Sequence, residues 1–531
     1  EAVILLVVHP GIAINVKIAS VSSIFIIGAM EQLKNIFPAP TLTNQGVTMK
    51  LVRQCKDTFI RKFGEIGYIS SQLTKHDRVY DSVGAVFLEK ISRLPQKIDN
   101  IVDEILPLFI DVSREVLYQD FIDFVNDLED SFLVTGYSEE ELNRKEPYFS
   151  YAMENPKTIA VNFMQQTKKP VFTDTADFFN DYFRQNPTIF GIHMELTSKC
   201  NERCLHCYIP HENKTKQMEL SFALNVLDQL REMNTVSVTF SGGEPFLHKD
   251  ILTIIEHARK NDFVVNILSN GTLLDKDNIQ VLKDVNINMI QISLYSLDPE
   301  IHDAITQVNG SYEKTIKAIE LLLNADVPIQ ISCPAMKLNR KSYKDVSLWA
   351  KNKKMRSLCD FIMMASTDFT TSNLAHRLNL NETEDLIKDI INVEEDYQEL
   401  LELEPKSKDM EKYANQPVCG VVIDNACITA SGNLYPCAGF QGYVLGNVRE
   451  QSLKDIWENS EKVQFIRSIK HSSFPKCLEC EARDYCAMCL VRNFNESNGD
   501  MFRINKHFCD VAFLNKKLVD QYRMEKQSAN G

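Results

Sequence analysis

The chain is 531 residues long with 44% apolar and 24% charged side chains, enough to bury several hydrophobic cores in roughly three or four domains. Its formal net charge of −14 argues against a nucleic-acid or anionic-membrane partner, since both need a basic face, so neither is expected. Its fourteen cysteines crowd into Cys200–Cys207 and Cys419–Cys509, leaving only Cys55, Cys333 and Cys359 apart. Such spacing in a large chain points to metal or cluster ligation in a reducing compartment, the cytoplasm, rather than to disulfides. The three isolated cysteines read as packing residues.

Residues 1–48 open with an apolar run that Pro10, Asn15 and Lys17 interrupt. With no positive n-region and no spanning length, they are expected to be a non-native or disordered segment outside the fold. From Thr58 to Asp81 the pattern is strand-like: Phe59, Ile60 and Phe63, a turn at Gly64–Gly67, then Tyr68, Ile69 and Leu73, and a third run at Val79–Tyr80. Three helical stretches follow. They are Val83–Ser92, Lys97–Phe109 with Ile98, Ile101, Ile105 and Leu108 on one face, and a third striped by Leu117, Phe121, Phe124, Val125 and Leu128. This predicts a small winged-helix-like module over 49–137. Residues 138–186 lack a clear period and read as a linker with one or two helices that docks on the next domain.

Over 187–400 the rhythm becomes alternating strand and helix. The strand candidates are Ile189–Leu196, Val236–Phe240, Val264–Leu268, Met289–Leu294, Ile329–Cys333 and Phe361–Met364. Near-continuous apolar strands separated by helices predict a parallel α/β sheet, and six units predict a partial (β/α)6 barrel. Sites in such barrels lie at the C-terminal ends of the strands.

Directly after the first of these strands stands Cys200-Asn-Glu-Arg-Cys204-Leu-His206-Cys207. Three thiolates on one short loop can hold three irons of a [4Fe–4S] cubane and leave the fourth open to a small ligand with an amine and a carboxylate. A zinc loop would need a fourth protein ligand. The triplet resembles that of the radical S-adenosylmethionine (radical SAM) superfamily, in which His206 occupies the aromatic position beside the cluster. The resemblance implies that Gly242, Gly243 and Glu244, in Ser241-Gly-Gly-Glu-Pro245 after the second strand, bind the SAM amino group. It further implies that Ser269 and Asn270, in Ser269-Asn-Gly-Thr272, and Ser293 contact its ribose and carboxylate. Where many relatives carry Arg after a His-Asp pair, this chain reads His302-Asp-Ala-Ile-Thr306, so that carboxylate contact is not expected.

Over 410–525 the pattern is Cys419-x7-Cys427-x4-Gly432-x4-Cys437, then Cys477-x2-Cys480-x5-Cys486-x2-Cys489-x19-Cys509. It resembles the SPASM iron–sulfur extension, although most relatives have three residues rather than two between the last C-x-x-C pair. The resemblance implies two auxiliary [4Fe–4S] clusters, one on Cys419, Cys427, Cys437 and Cys489 and one on Cys477, Cys480, Cys486 and Cys509. Without Cys427 the first would keep an open iron able to take a substrate thiolate. A single zinc on Cys477–Cys489 would leave the upstream trio unexplained.

The 49–137 module, on its element order and on Asp81-Ser-Val-Gly-Ala and Ile98-Asp-Asn-Ile-Val, resembles PqqD and related leader-peptide recognition domains. Together the three resemblances imply a maturase of ribosomally made peptides with SAM and three [4Fe–4S] clusters as cofactors. It would reductively cleave SAM to a 5′-deoxyadenosyl radical and form an intrapeptide thioether or carbon–carbon cross-link. Its partners would be a precursor peptide with a leader and a flavodoxin- or ferredoxin-type electron donor. The alternatives are a sulfatase-maturase-type residue oxidase, which would carry Asp where this chain has Ala438, a peptide epimerase, and a non-catalytic peptide-binding or electron-transfer partner.

Overall fold

Two small sheets and a set of short helices form from the residues before Gln185. The computed structural model describes residues 16–18, 50–129, 131–146, 175–361, 363–391, 393 and 409–530. These fall into two compact units that divide in sequence between Tyr182 and Phe183.

In the first unit the strands are β1 (Val16–Ile18), β2 (Leu51–Gln54), β3 (Thr58–Phe63), β4 (Ile66–Ser71) and β5 (Asp77–Tyr80). They are followed by α1 (Ser82–Lys90), β6 (Gln96–Lys97), α2 (Ile98–Ile105), α3 (Arg114–Leu128), β7 (Leu133–Gly136), α4 (Glu139–Lys145) and α5 (Thr175–Gln185). One sheet runs β1-β5-β4-β3, with β3, β4 and β5 an antiparallel meander; in the other, β2 lies between β6 and β7. The stripe on α3 is the reason this helix packs: Leu117, Phe121, Val125 and Leu128 are buried. Half-buried Phe124 meets Tyr80 and Phe87 edge-on, with ring centroids 4.9 and 5.3 Å apart. Ser113 caps α3, its Oγ accepting from Val116 N at 3.3 Å, a contact worth about 1 kcal/mol.

Four expectations change here. Leu108 is 61% exposed, because Pro107 ends the regular helix and the apolar face of α2 stops at Ile105. Strands β2, β6 and β7 were not legible as strands, being two to four residues long. Of residues 1–48, Val16–Ile18 join the sheet as a parallel partner of β5, and the others lie outside the described residues. Finally, residues 175–182 of α5 belong to this first unit: the Phe179 ring lies 5.6 Å from Phe63 and 5.4 Å from Tyr68, and Tyr182 Oη donates to Phe63 O at 2.7 Å. Within the expected linker, 147–174 lie outside the described residues.

The second unit alternates strand and helix: β8 (Gly191–Thr197), α6 (Leu220–Glu232), β9 (Ser237–Gly242), α7 (Ile251–Lys260), β10 (Val264–Ser269), α8 (Lys276–Asp284) and β11 (Met289–Ser293). It continues with α9 (Pro299–Thr306), α10 (Ser311–Asn324), β12 (Ile329–Pro334), α11 (Tyr343–Asn352), β13 (Arg356–Asp360) and α12 (Leu380–Ile390). Strands β8 to β13 are parallel and neighbour one another in sequence order, as a partial (β/α)6 barrel requires. Met194, Leu196, Val238, Phe240, Val265, Ile267, Ile290, Ile292 and Ile331 are buried, each contributing on the order of 1.5–3 kcal/mol.

The sixth strand is Arg356–Asp360, not Phe361–Met364. Pairing from Gln330↔Arg356 to Pro334↔Asp360 sets it, and a strand at the end of the sheet tolerates Arg356, Ser357 and Asp360. The sheet also runs on past β8. Strand β14 (Asn425–Ile428) pairs parallel to it, followed by antiparallel β15 (Asn433–Tyr435) and β16 (Gly446–Asn447), making nine strands among the described residues. The cysteine-rich segment is therefore continuous with the barrel sheet. Among the described residues no helix is long and apolar enough to cross a membrane.

Candidate functional site

The Cys200–Cys207 loop leaves the C-terminal end of β8 and is held from two sides. Arg203 N and Leu205 N donate to Thr306 O and Ile305 O, at 2.9 and 3.0 Å, so the end of α9 grips the loop. The His302–Thr306 segment that lacks the relatives' Arg thus supports the loop through its backbone. From the other side, Gly243 N donates to Thr197 O at 2.7 Å and Glu244 N to Lys199 O at 2.8 Å. A Cβ on Gly242 would collide with the Thr197 carbonyl and one on Gly243 with that of Lys199, and Gly242 adopts φ +132°. The two glycines therefore serve the close approach of the chain to itself.

Glu244 is fully buried. Its Oε1 accepts from Ser269 Oγ at 2.9 Å and Phe246 N at 3.0 Å, and its Oε2 from Asn270 N at 2.8 Å. Three of the expected SAM residues are thus one hydrogen-bonded unit at the ends of β9 and β10. Asn270 Nδ2 also donates to Asn201 Oδ1 at 2.9 Å, joining that unit to the cysteine loop. Ser293 hydrogen-bonds Tyr295, whose hydroxyl donates to Cys204 Sγ at 3.6 Å.

Burial dominates the electrostatics around the thiols. Burial pushes the Cys200 thiol up to about 11 and Cys204 well above its ordinary range, with Glu202 adding to the rise at Cys204. A bare thiolate there is costly, and bound iron would stabilise it. His206 is neutral, burial lowering it to about 4, and its Nδ1 is buried without a hydrogen-bond partner. Its ring meets Tyr295 edge-on at 5.2 Å.

The C-terminal cysteines separate into two neighbourhoods. Burial pushes Cys437 far up, and Cys489 and Cys419 push it further; Cys419 itself reaches about 12 through burial and Cys489. Cys427, fully buried on β14 opposite His193, joins this group through Cys437. In the second neighbourhood, burial followed by Cys509 and Cys480 raises Cys477, and burial followed by Cys480 raises Cys509. Cys486 lies with Cys477 beside Tyr413, whose hydroxyl burial raises to about 12. Of the isolated cysteines, Cys333 is buried, whereas Cys55 is half-buried with its sulfur within 4.8 Å of carboxylate oxygens of Asp57 and Glu146. Cys359 lies on β13 opposite Cys333.

Several site residues were not read from the sequence. Tyr295 and Lys214 donate to cluster-loop sulfurs, and Glu195, buried and raised to about 7, accepts from Gln441. One signal was available: His193, Glu195 and Thr197 alternate with apolar residues on β8, which puts polar groups on one face of a core strand.

Residues 194–349 match the radical SAM superfamily and residues 419–481 the SPASM iron–sulfur cluster-binding domain. The chain carries these two domains, with S-adenosylmethionine and multiple [4Fe–4S] clusters as cofactors. Among curated proteins it is 25% identical over 318 residues to AdoMet-dependent heme synthase of Methanosarcina barkeri, covering 56% of this chain and 90% of that one. It is 26% identical over 337 residues to the antilisterial bacteriocin subtilosin biosynthesis protein AlbA of Bacillus subtilis, covering 61% and 71%. Among solved structures, Streptococcus suis SuiB bound to S-adenosylmethionine shares the fold with a TM-score of 0.56 at 16% identity, over 86% of this chain and 99% of that one. SuiB has also been solved bound to its precursor peptide SuiA.

Proposed function

We propose that this chain is a radical SAM enzyme that modifies a ribosomally synthesised peptide, joining two of its residues through a thioether or carbon–carbon bond. The observation that carries the reading is the half-buried loop of Cys200, Cys204 and Cys207, tied to the Glu244–Ser269–Asn270 unit through Asn201. When bound, SAM and its cluster would supply hydrogen-atom abstraction from an unactivated carbon, and the auxiliary clusters would supply a sink for the second electron.

The residues divide the work. Cys200, Cys204 and Cys207 hold the SAM-cleaving cluster, with His206 against it. Gly242, Gly243 and Glu244 shape the turn under SAM, and Ser269, Asn270 and Ser293 orient it. Cys419, Cys427, Cys437 and Cys489 hold one auxiliary cluster, and Cys477, Cys480, Cys486 and Cys509 the other. Residues 49–137 act as a PqqD-like leader-recognition domain, 138–186 as its linker, 187–400 as the radical SAM domain and 410–525 as the SPASM domain. Strand β3 ends its sheet among the described residues, and an edge of this kind can take a leader as an added strand, raising the core peptide's effective concentration. A flavodoxin or ferredoxin in the cytoplasm would donate the electrons. The similarity to AlbA and to peptide-bound SuiB supports a peptide substrate.

The test is anaerobic reconstitution with iron, sulfide, SAM and dithionite, together with the short precursor peptides encoded beside the gene. We expect 5′-deoxyadenosine and a peptide lighter by two hydrogens, both lost in Cys204→Ala. Conversion of a porphyrin to heme, with every peptide unchanged, would refute the peptide reading.

A further inference from the structure

We propose that Tyr295 and Lys214 set the reduction potential of the SAM-cleaving cluster by hydrogen-bonding two of its three cysteine ligands. The inference rests on the assignment of that cluster to Cys200, Cys204 and Cys207. Tyr295 Oη donates to Cys204 Sγ at 3.6 Å, and Lys214 Nζ donates to Cys207 Sγ at 3.5 Å. Among the described residues Cys200 receives a backbone donor, Glu202 N at 3.4 Å. Donors to ligand sulfurs, and a cation above all, stabilise the reduced and more negative state of an iron–sulfur centre, and so raise its potential.

Tyr295 is built to aim that hydroxyl. Its side chain is 3% exposed. Its ring lies edge-on to His206 at 5.2 Å and tilted against His302 at 5.3 Å. Its carbonyl accepts from Asn339 Nδ2 at 2.8 Å, its N–H donates to His302 Nδ1 at 3.3 Å, and Ser293 hydrogen-bonds its hydroxyl. Lys214 reaches Cys207 from the loop that follows the ligands, seven residues on. Both act through the ligands, so both are positioning residues.

Tyr295→Phe keeps the ring packing and removes only the donor; Lys214→Met keeps the stem and removes the charge. The reconstituted full-length variants are titrated electrochemically, following by EPR the cluster signal that shifts when SAM is added. We expect a more negative midpoint in both, and a midpoint near the parent's in Lys214→Arg, which retains a charged donor. Hydrogen–deuterium ENDOR on the parent should show an exchangeable proton coupled to this cluster that is lost in Tyr295→Phe. Unchanged midpoints with full iron content and an intact SAM-sensitive signal overturn the proposal. Should Tyr295→Phe fail to load, Lys214→Met reads the same quantity, and absence of the coupled proton in the parent also overturns it. A parent with no SAM-sensitive signal would instead defeat the cluster assignment itself.

Discussion

Gln441 Nε2 donates to both carboxylate oxygens of Glu195, at 2.9 and 3.0 Å, and so ties the loop after Cys437 to the first strand of the barrel. Burial raises Glu195 to about 7, Gln441 opposing the rise, and Glu195 in turn bears on Tyr208 and Cys427. Its folded pKa lies above the unfolded value, so the native state binds more protons between the two. The contribution of Glu195 to stability is therefore fully present below the ordinary glutamate range and is lost as pH rises through about 7, a change on the order of 3 kcal/mol. Glu202 and Glu244 titrate in the same window. Glu195→Gln should thus flatten the loss without abolishing it, as read by anaerobic thermal unfolding from pH 5 to 8; a slope identical to the parent's would contradict this.

Gly243→Ala forces a Cβ into the Lys199 carbonyl and breaks the Gly243–Thr197 hydrogen bond that closes the cysteine loop. The variant should lose the SAM-sensitive cluster and keep the iron of the others. Iron assay and EPR check this, and full iron with an unaltered spectrum would show that the backbone contact is dispensable.

Ser269→Ala removes a donor to the buried Glu244 carboxylate and an acceptor for Gly271 N, both at 2.9 Å. Unpaired buried groups cost about 1–3 kcal/mol. If that cost falls on the SAM site, affinity should drop by roughly 5- to 150-fold. Equilibrium dialysis of SAM on cluster-loaded protein measures it, and unchanged affinity would detach this unit from SAM binding.

Cys437→Ala should spare some SAM cleavage but lose the modified peptide, because Cys437 is the cysteine that neighbours Cys419, Cys489 and Cys427 alike. Mass spectrometry of the peptide alongside 5′-deoxyadenosine yield separates the two outcomes. Normal product from this variant would remove the auxiliary cluster from the mechanism.

Much of the fold was legible because its signals are local. Apolar stripes at helical spacing marked α2 and α3, and apolar runs marked five of the six parallel strands to within a few residues. The misplaced strand shows where such signals fail. Phe361 and Met363 are apolar and buried yet lie past the strand, whereas Arg356–Asp360 is a strand because β12 pairs with it. The short strands β2, β6 and β7 failed for the same reason, since only their partners define them.

The amino-acid sequence by itself determined the order of elements, the Cys200–Cys207 loop and the two later sets of thiols, since ligand spacing and side-chain period are properties of neighbouring residues. Only the tertiary structure decided that Cys427 stands opposite His193, that Tyr295 donates to Cys204, and that Gln441 holds Glu195 from 246 residues away. Those contacts depend on sheet register and on which strands lie side by side, and both are settled by burying many apolar side chains at once rather than by any one stretch of chain.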